Sequence, residues 1–338
     1  MRRVYAHFIP ENIAPENATD IAVYRDGKKI TSIPLGRLKQ PDGNKEYSFL
    51  ALADVHVVYQ TAAADFQRAL EYAENSDCAF TCICGDLTDD GSDTQLATYK
   101  NNVDTYAKTK PVYAIAGNHE ASSGKIPFDR MTPYTGYPLY YLFTYGDDVF
   151  VMVGTHRWHN DEVFSVEELQ WLYETLEANR NKRCFVFQHI FPWGGSGNAL
   201  GAYTNDAFSG TRGTVFENLM KHYKNIVLFH GHSHLRFDLQ ERDDTANYSD
   251  ARGYRSIHIP SISVPRDVVD GSLSVIYAES EGYVVDVYDN YIILNGRDFI
   301  DNDADGHILP IATYKIDTVL VDVAANTFTD STGTITTS

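Results

Sequence analysis

Metal-binding side chains recur at the ends of five apolar runs in this sequence of 338 residues. They are Asp54 and His56, Asp86, Asn118 and His119, His189, and His232 and His234. Carboxylates, amide oxygens and imidazoles are the side chains that bind divalent cations. Because the carboxyl ends of strands in an α/β sheet converge along one edge, the pattern predicts a metal site at that edge.

The types of these side chains indicate how they would share two cations. Asp54 and His56 are two positions apart, so an extended chain turns both to the same side, where they can bind one cation. A carboxylate has two oxygens, which allows Asp86 to bridge two cations about 3.5–4 Å apart. Asn118 adds an oxygen without adding charge. A mixed set of nitrogen and oxygen ligands favours Mn, Fe or Zn over Ca or Mg.

The elements that must position these residues alternate between buried strands and helices. The predicted strands are YSFLALADV, CAFTCICGD, PVYAIAGNHE, RCFVFQHIF and NIVLFHGHSH. Helical spacing of apolar residues occurs in TAAADFQRALEYAEN, DTQLATYKNNVDTYAK and SVEELQWLYETLEAN. The last of these opens with Ser165 and has Glu168 three positions later, a capping-box pattern. The alternation predicts a layered α/β fold.

Five blocks of the sequence resemble those of the calcineurin-like metallophosphoesterases. The blocks are DVH, GDLTDD, GNHE, His189 followed by FPW, and GHSH, and they occur in the family's order. The resemblance implies a four-layer αββα sandwich with two mixed β-sheets and β-rich additions at both ends of the chain. It also implies an enzyme, a hydrolase of phosphate esters that depends on two divalent metal ions.

The resemblance implies a role for each predicted site residue. One cation would be bound by Asp54, His56, Asp86 and His234. The second would be bound by Asp86, Asn118, His189 and His232. His119 would bind no metal and would act as a general acid or stabilise charge on the leaving oxygen. In the implied reaction, a hydroxide that bridges the two cations attacks phosphorus in line with the ester oxygen.

His230 precedes the block GHSH, which begins at Gly231. The alternation FHGHSHLRF makes it look equivalent to His232 and His234. We predict instead that His230 binds no metal and is either a core residue or a residue that contacts the metal ligands.

Departures from the family's patterns favour one branch of it. Purple acid phosphatases are similar but have a tyrosine where this sequence has Asp89, and they lack a histidine at the position of His56. Protein Ser/Thr phosphatases of the superfamily have an arginine where this sequence has Glu120. The His119-Glu120 pair more closely resembles the phosphodiesterase branch. We therefore predict a phosphodiester or a small phosphomonoester as the substrate.

Candidates for the wall of a substrate pocket are fewer. The segment GTHRWHND follows a predicted strand and contains His156, Arg157 and Trp158. Trp193 follows the strand that carries His189. We predict that His156, Arg157 and Trp193 contact the substrate, with ordinary surface packing as the alternative.

The resemblance covers the middle of the chain and suggests three parts. Residues 1–48 are predicted as an N-terminal β extension packed on the core, with two strands about Asp26-Gly27. Residues 49–265 are predicted as the catalytic core. Residues 266–338 are predicted as a C-terminal β segment that completes the second sheet and ends in a polar tail.

The charge of the chain bears on its partners. Lys and Arg number 28 against 46 Asp and Glu, a formal charge of -18. That average field repels a phosphate-rich polymer, so nucleic-acid binding is not expected, whereas bound cations would attract a small phosphate ester locally. No run approaches the roughly 20 apolar residues of a membrane span. The expected protein is soluble and cytoplasmic, or secreted if a leader has been removed.

Two other hypotheses are compatible with the fold. The chain would be a catalytically inactive scaffold that binds a protein or envelope partner, or its β-rich ends would attach an active enzyme to a surface. Inactive relatives usually lack ligands, whereas all seven ligand positions are filled here. The hydrolase is therefore the favoured hypothesis.

Overall fold

The computed structural model describes most of the chain. The described residues are 20–25, 28–34, 44–122, 128–158, 162–192, 196–198, 207–208, 210–237, 239, 246–249, 252–270, 272–288, 291–300, 309–315, 327–329 and 334–336. The strands are β1 Asp20–Arg25, β2 Lys28–Pro34, β3 Lys45–Leu52, β4 Cys78–Cys84, β5 Val112–Ile115, β6 Tyr140–Tyr145, β7 Asp148–Val153, β8 Cys184–Gln188, β9 Ile226–His230, β10 Tyr248–Ser249, β11 Arg255–His258, β12 Arg266–Val269, β13 Ser272–Val275, β14 Glu281–Tyr288, β15 Tyr291–Asp298, β16 Leu309–Lys315, β17 Thr327–Thr329 and β18 Thr334–Thr336. The helices are α1 Ala62–Asn75, α2 Asp93–Tyr106, α3 Asn118–Ala121, α4 Phe128–Thr135, α5 Val166–Ala178 and α6 Gly210–His222.

Two six-stranded sheets form the body of the protein. Sheet I has the order β10-β11-β9-β8-β7-β6, and sheet II has the order β16-β15-β14-β3-β4-β5. Strands β7, β8, β9 and β11 are parallel in sheet I, as are β3, β4 and β5 in sheet II. The outer strands β6 and β10 of sheet I and β14 to β16 of sheet II pair antiparallel. Both sheets are therefore mixed, and their parallel strands bring several carboxyl ends to one edge.

An aromatic core joins the two sheets face to face. Phe49 and Phe80 of sheet II are fully buried and stack with ring centroids 5.4 Å apart. The ring of Phe49 also meets Phe150 at 5.2 Å and Phe185 at 5.5 Å, both in sheet I. Burying one such ring contributes about 1.5–3 kcal/mol. This layer fixes the separation of the two sheets.

Helices cover the outer face of each sheet. On sheet II, Phe66 of α1 and Leu96 of α2 pack in one cluster with Leu50 and Ile83. On sheet I, the cluster contains residues of α5, α6, β7 and β8, namely Leu169, Leu172, Phe216, Leu219, Val151 and Val186. The order of layers is helix, sheet, sheet, helix, which confirms the predicted αββα sandwich. Helix α5 begins with the predicted capping box, in which the Glu168 N–H donates to Ser165 Oγ at 3.0 Å.

Further strands come from the two ends of the chain. Strand β14 pairs with β3 in the centre of sheet II, so β14, β15 and β16 belong to the same sheet as the first predicted site residues. Strands β1 and β2 pair with Arg25 opposite Lys28. Strands β17 and β18 also pair, and β18 lies in the segment predicted as a polar tail. The predicted division of the chain at 48 and 265 stays a prediction.

Among the described helices, none has the length and apolar character that crossing a bilayer requires.

Candidate metal centre

The predicted ligands meet where the carboxyl ends of both sheets converge. Strands β3, β4 and β5 of sheet II lead to the first four of them, and strands β8 and β9 of sheet I lead to the rest. Six of the seven predicted ligands are almost completely shielded from solvent, and His232 is partly buried. The buried set includes Asp54, His56, Asp86, Asn118, His189 and His234.

The backbone is strained at most of these positions. The φ angles are positive at Asp54 (53°), His56 (42°), Asp86 (49°), His232 (73°) and His234 (60°). Residues other than glycine rarely adopt this region, and each such residue costs of the order of 1 kcal/mol or more. The strain is therefore concentrated at the predicted ligands.

Hydrogen bonds across the edge hold Asp54 in its strained conformation. Its N–H donates to Gly85 O at 3.1 Å. Its carbonyl accepts from Ser261 Oγ at 2.9 Å and Ser263 Oγ at 3.1 Å. Its carboxylate accepts from the His232 N–H at 3.0 Å. The carboxylate is thus oriented by three segments that are distant in the sequence.

Two glycines of the motifs make room for the carboxylates. A Cβ at Gly117 would lie 2.1 Å from Asp86 Oδ1, and a Cβ at Gly231 would lie 2.5 Å from Asp54 Oδ2. Any side chain at either position would displace a predicted ligand. The glycines of GNHE and GHSH are therefore required by close approach of the backbone.

One cluster of possible ligand atoms contains Asp54, His56, Asp86 and His234, all within 4.8 Å of one another. His234 Nε2 lies 3.0 Å from Asp54 Oδ1 and 3.3 Å from His56 Nε2. The outer nitrogen of His56, Nδ1, donates to Asp89 Oδ1 at 2.8 Å. This bond turns Nε2 of His56 toward the cluster.

A second cluster contains Asp86, His189 and His232, again within 4.8 Å. His189 Nε2 lies 3.1 Å from Asp86 Oδ2 and 3.0 Å from Asn118 Oδ1. His189 Nδ1 donates to Cys84 O at 2.7 Å, which turns Nε2 inward. Asp86 belongs to both clusters.

The electrostatics of the clusters suit divalent cations. Burial alone would raise the pKa of Asp86, but positive charge on His189 and His119 outweighs it and holds that pKa well below its ordinary value. His189 in turn has its pKa raised to about 9, because Asp86 and Asp54 outweigh the effect of burial. Without a cation, a proton on His189 offsets the carboxylates. Metal binding at such a site displaces protons.

An orphaned atom in the second cluster tests the fit more directly. His232 Nε2 is buried and has no hydrogen-bond partner in the described part of the chain. Burial lowers the pKa of His232 to about 3, so its imidazole is neutral. A buried polar atom without a partner is costly. A cation held with Asp86 and His189 would give this nitrogen a partner, so the residues present fit the metal ions that the fold implies.

His119 is placed differently from the predicted ligands. Its side chain is 38% exposed, against 5% for His56. Its Nδ1 donates to Asp89 O at 2.7 Å, and its Nε2 lies 3.8 Å from Asp86 Oδ2. Possible ligand atoms of His56, Asp89 and His119 also lie within 4.8 Å of one another. The predicted role of His119 therefore stays a prediction.

Two of the three predicted substrate residues lie in the wall of a cavity. His156 and Arg157 follow β7 and line a cavity of about 710 Å³. The next residue, Trp158, has its ring centroid 5.1 Å from that of His232. Trp193 lies outside the described residues.

His230 lies apart from the clusters, as predicted. Its Nε2 is 2.7 Å from Ser196 Oγ and 3.1 Å from Ser256 Oγ. Burial lowers its pKa to about 3. It is a neutral core residue behind the site.

Sequence reasoning missed several residues that support the site. Glu120 accepts hydrogen bonds from the Gly117 N–H at 2.9 Å and from Thr88 Oγ1 at 2.6 Å, and so ties together the loops after β4 and β5. Its place directly after GNH could have suggested this. Ser261 and Ser263 carry no such signal, because their partner Asp54 is more than 200 positions away.

Comparison with known proteins agrees with this fold. The chain matches the calcineurin-like phosphoesterase family over residues 47–236, more than half of its length, and it belongs to that family. This confirms the family predicted from the five blocks. No curated protein matches the sequence.

Several solved structures have a similar fold at low sequence identity. A dimetal phosphatase from Danio rerio is 13% identical with a TM-score of 0.55, covering 82% of this chain and 100% of that one. A purple acid phosphatase from yellow lupin (Lupinus luteus) seeds is 14% identical with a TM-score of 0.53, covering 79% of this chain and 53% of that one. An anchor protein of the Plasmodium inner membrane complex is 13% identical with a TM-score of 0.53, covering 81% and 89%.

Proposed function

We propose that the protein is a hydrolase of small phosphate esters that depends on two divalent metal ions. The observation that carries the proposal is the pair of buried ligand clusters that share Asp86. Two cations about 3.5–4 Å apart with a shared carboxylate are the usual arrangement for phosphoryl transfer to water. Membership of the calcineurin-like phosphoesterase family supports the same chemistry.

The proposed ligands divide into two sets. Asp54, His56, Asp86 and His234 would hold one cation. Asp86, Asn118, His189 and His232 would hold the other. The mixed nitrogen and oxygen donors favour Mn, Fe or Zn. When bound, two such cations polarise phosphoryl oxygens and lower the pKa of water.

Other residues of the chain orient the ligands and move a proton. The Asp89 carboxylate and the Cys84 carbonyl hold the outer nitrogens of His56 and His189, so that both Nε2 atoms face the centre. The Asp89 carbonyl fixes the ring of His119 through Nδ1. His119 in its protonated form would then donate from Nε2 to the leaving oxygen.

The proposed substrate is a phosphodiester or a small phosphomonoester. The exposed side of the centre, at His119, is where an ester would approach. The formal charge of -18 disfavours a nucleic-acid polymer but not a small ester held by cations. The His119-Glu120 pair motivates the diester.

The test is hydrolysis of p-nitrophenyl phosphate and bis(p-nitrophenyl) phosphate by protein loaded with Mn, Fe or Zn. We expect the wild type to cleave at least one ester. We expect Asp86→Asn to lose both bound metals and to react more than ~100-fold more slowly, since loss of even an outer partner of a ligand lowers metal affinity or activity about 10–100-fold. Asp104→Asn, at an exposed carboxylate on α2, is the matched control. A protein that cleaves neither ester with any of the metals, or an Asp86→Asn variant that keeps both, contradicts the proposal.

A further inference from the structure

A cavity of about 710 Å³ lies next to the candidate metal centre and contains none of the proposed ligands. Its walls come from the start of β6, the segment after β7, the first turn of α5 and helix α6. We call it the arginine cavity, after Arg157 and Arg212 in its lining. The reaction proposed above uses none of these residues.

The arginine cavity is one side chain away from the second ligand cluster. Trp158 directly follows Arg157, and its ring packs 5.1 Å from His232. The Thr155 N–H, two residues before Arg157, donates to Ala116 O at 2.9 Å, on the loop that carries Asn118. The segment that lines the cavity is therefore in contact with both the second ligand cluster and the loop that carries Asn118.

Arginines act more strongly than glutamates at His156, which lies inside the arginine cavity. Burial lowers the pKa of His156, and the charges of Arg157 and Arg212 lower it further. Glu162 and Glu167 act in the opposite direction with smaller effect. The lining contains two arginines and two glutamates, and at His156 the positive charges have the larger effect.

The ion pair between Arg157 and Glu162 leaves Arg157 able to bind a ligand. Arg157 and Glu162 are 3.2 Å apart, but their side chains are 40% and 41% exposed. Exposed ion pairs of this kind contribute little, so an anionic ligand can replace Glu162 as the partner of Arg157. Leu139 and Val166 in the lining add an apolar surface for carbon atoms.

We infer that the arginine cavity binds the organic part of the ester and selects substrates that carry a second anionic group, a carboxylate or a phosphate. The inference deepens the proposed phosphoesterase activity and rests on it. Arg157 and Arg212 would bind that group through charged hydrogen bonds, while the transferred phosphoryl group stays at the centre.

The experiment uses two matched pairs of esters. Glycerol 3-phosphate and 3-phosphoglycerate differ by one carboxylate, as do 4-nitrophenyl ethyl phosphate and 4-nitrophenyl 2-carboxyethyl phosphate. We expect kcat/KM to be roughly tenfold or more higher for the carboxylate member of the pair that is cleaved, in line with one charged hydrogen bond. A ratio of rates within one variant is independent of the fraction of folded enzyme.

Four variants assign the preference to the cavity. Arg212→Met and Arg157→Met should each bring the ratio close to one, and Arg212→Lys should keep part of it. Arg180→Met removes the same charge beyond the end of α5, where Arg180 pairs with Glu177, and should leave the ratio unchanged. Equal rates for both members in the wild type, or an unchanged ratio in both Met variants, overturns the inference.

Calorimetry separates failure of the inference from failure of the proposed function. Binding of 3-phosphoglycerate and of glycerol 3-phosphate to the metal-loaded protein requires no turnover. Suppose that the protein cleaves no ester but binds 3-phosphoglycerate more tightly than glycerol 3-phosphate, and that Arg212→Met loses this preference. That result refutes the proposed activity and supports anion binding in the cavity. Active protein without any preference in rate or in binding refutes the cavity alone.

Discussion

His119 differs from the proposed ligands in exposure. It lies at the opening of the site, whereas His56 beside it is buried, with ring centroids 4.6 Å apart. Its Nδ1 donates to a backbone carbonyl, as that of His189 does, and its Nε2 lies 3.8 Å from Asp86 Oδ2. At the scale of single residues, this difference in exposure supports the proposed division between a proton donor and the atoms that would hold metal.

We expect His119→Asn to retain both metals and to turn over about 10²–10⁴-fold more slowly, the usual contribution of a positioned acid. Metal analysis of the purified variant, together with its rate on p-nitrophenyl phosphate, checks both parts. His222→Asn is a suitable control, because His222 lies at the end of α6, outside the clusters. Loss of one metal in His119→Asn would make His119 a ligand and refute the division of roles.

At the scale of elements, helix α5 begins at a buried carboxyl group. Glu168 is fully buried, and its Oε2 accepts from the Ser165 N–H at 3.2 Å. Burial raises the pKa of Glu168 well above its ordinary value, despite this hydrogen bond. The folded protein therefore holds a proton that the unfolded chain releases above about pH 4.5. A higher pH then favours the unfolded chain, until the folded pKa is reached.

Glu168→Gln keeps an acceptor for Ser165 but cannot ionise. The wild type should lose stability as the pH rises from about 5 to about 8, whereas this variant should not. We therefore expect the free energy of unfolding of the variant, minus that of the wild type, to increase over this range. Urea unfolding at several pH values measures it. Glu167→Gln, at an exposed position in the same turn, should follow the wild type at every pH. Parallel curves for Glu168→Gln and wild type would contradict the prediction.

The elements were largely predictable, and the reason is local. Apolar runs such as CAFTCICGD and the capping box at Ser165 are each determined by residues close in the sequence. The order of metal-binding residues at strand ends follows from the same runs. Neither the two serines that donate to Asp54 nor the arginine cavity could be predicted. Both depend on segments that only the packing of the two sheets brings together.

At the scale of the whole molecule, the contact between the two sheets determines the geometry of the site. Ligands come from both sheets, so any change in the spacing of the sheets would separate them. The aromatic layer around Phe49 maintains that spacing, through stacking on Phe80 and edge contacts with Phe150 and Phe185. The core therefore supports the chemistry as well as the stability.

We expect Phe49→Ala to lower the free energy of unfolding by about 3–5 kcal/mol, because a large buried ring leaves a cavity. Denaturant unfolding of metal-loaded protein measures the loss. Leu142→Ala, at a side chain 43% exposed, should cost much less. Similar losses for the two variants would mean that the aromatic layer contributes little to holding the sheets together.

The hydrogen bonds from Ser261 and Ser263 to Asp54 also have a consequence for the synthesis of the protein. Ser261 lies 207 positions after Asp54, and β3 pairs in the middle of its sheet with β14, which is later still. At 5–20 residues per second, a ribosome needs roughly 10–40 s to produce that intervening stretch. During this time the nascent chain exposes the first aspartate without the serines that orient it. The site is therefore completed late in synthesis.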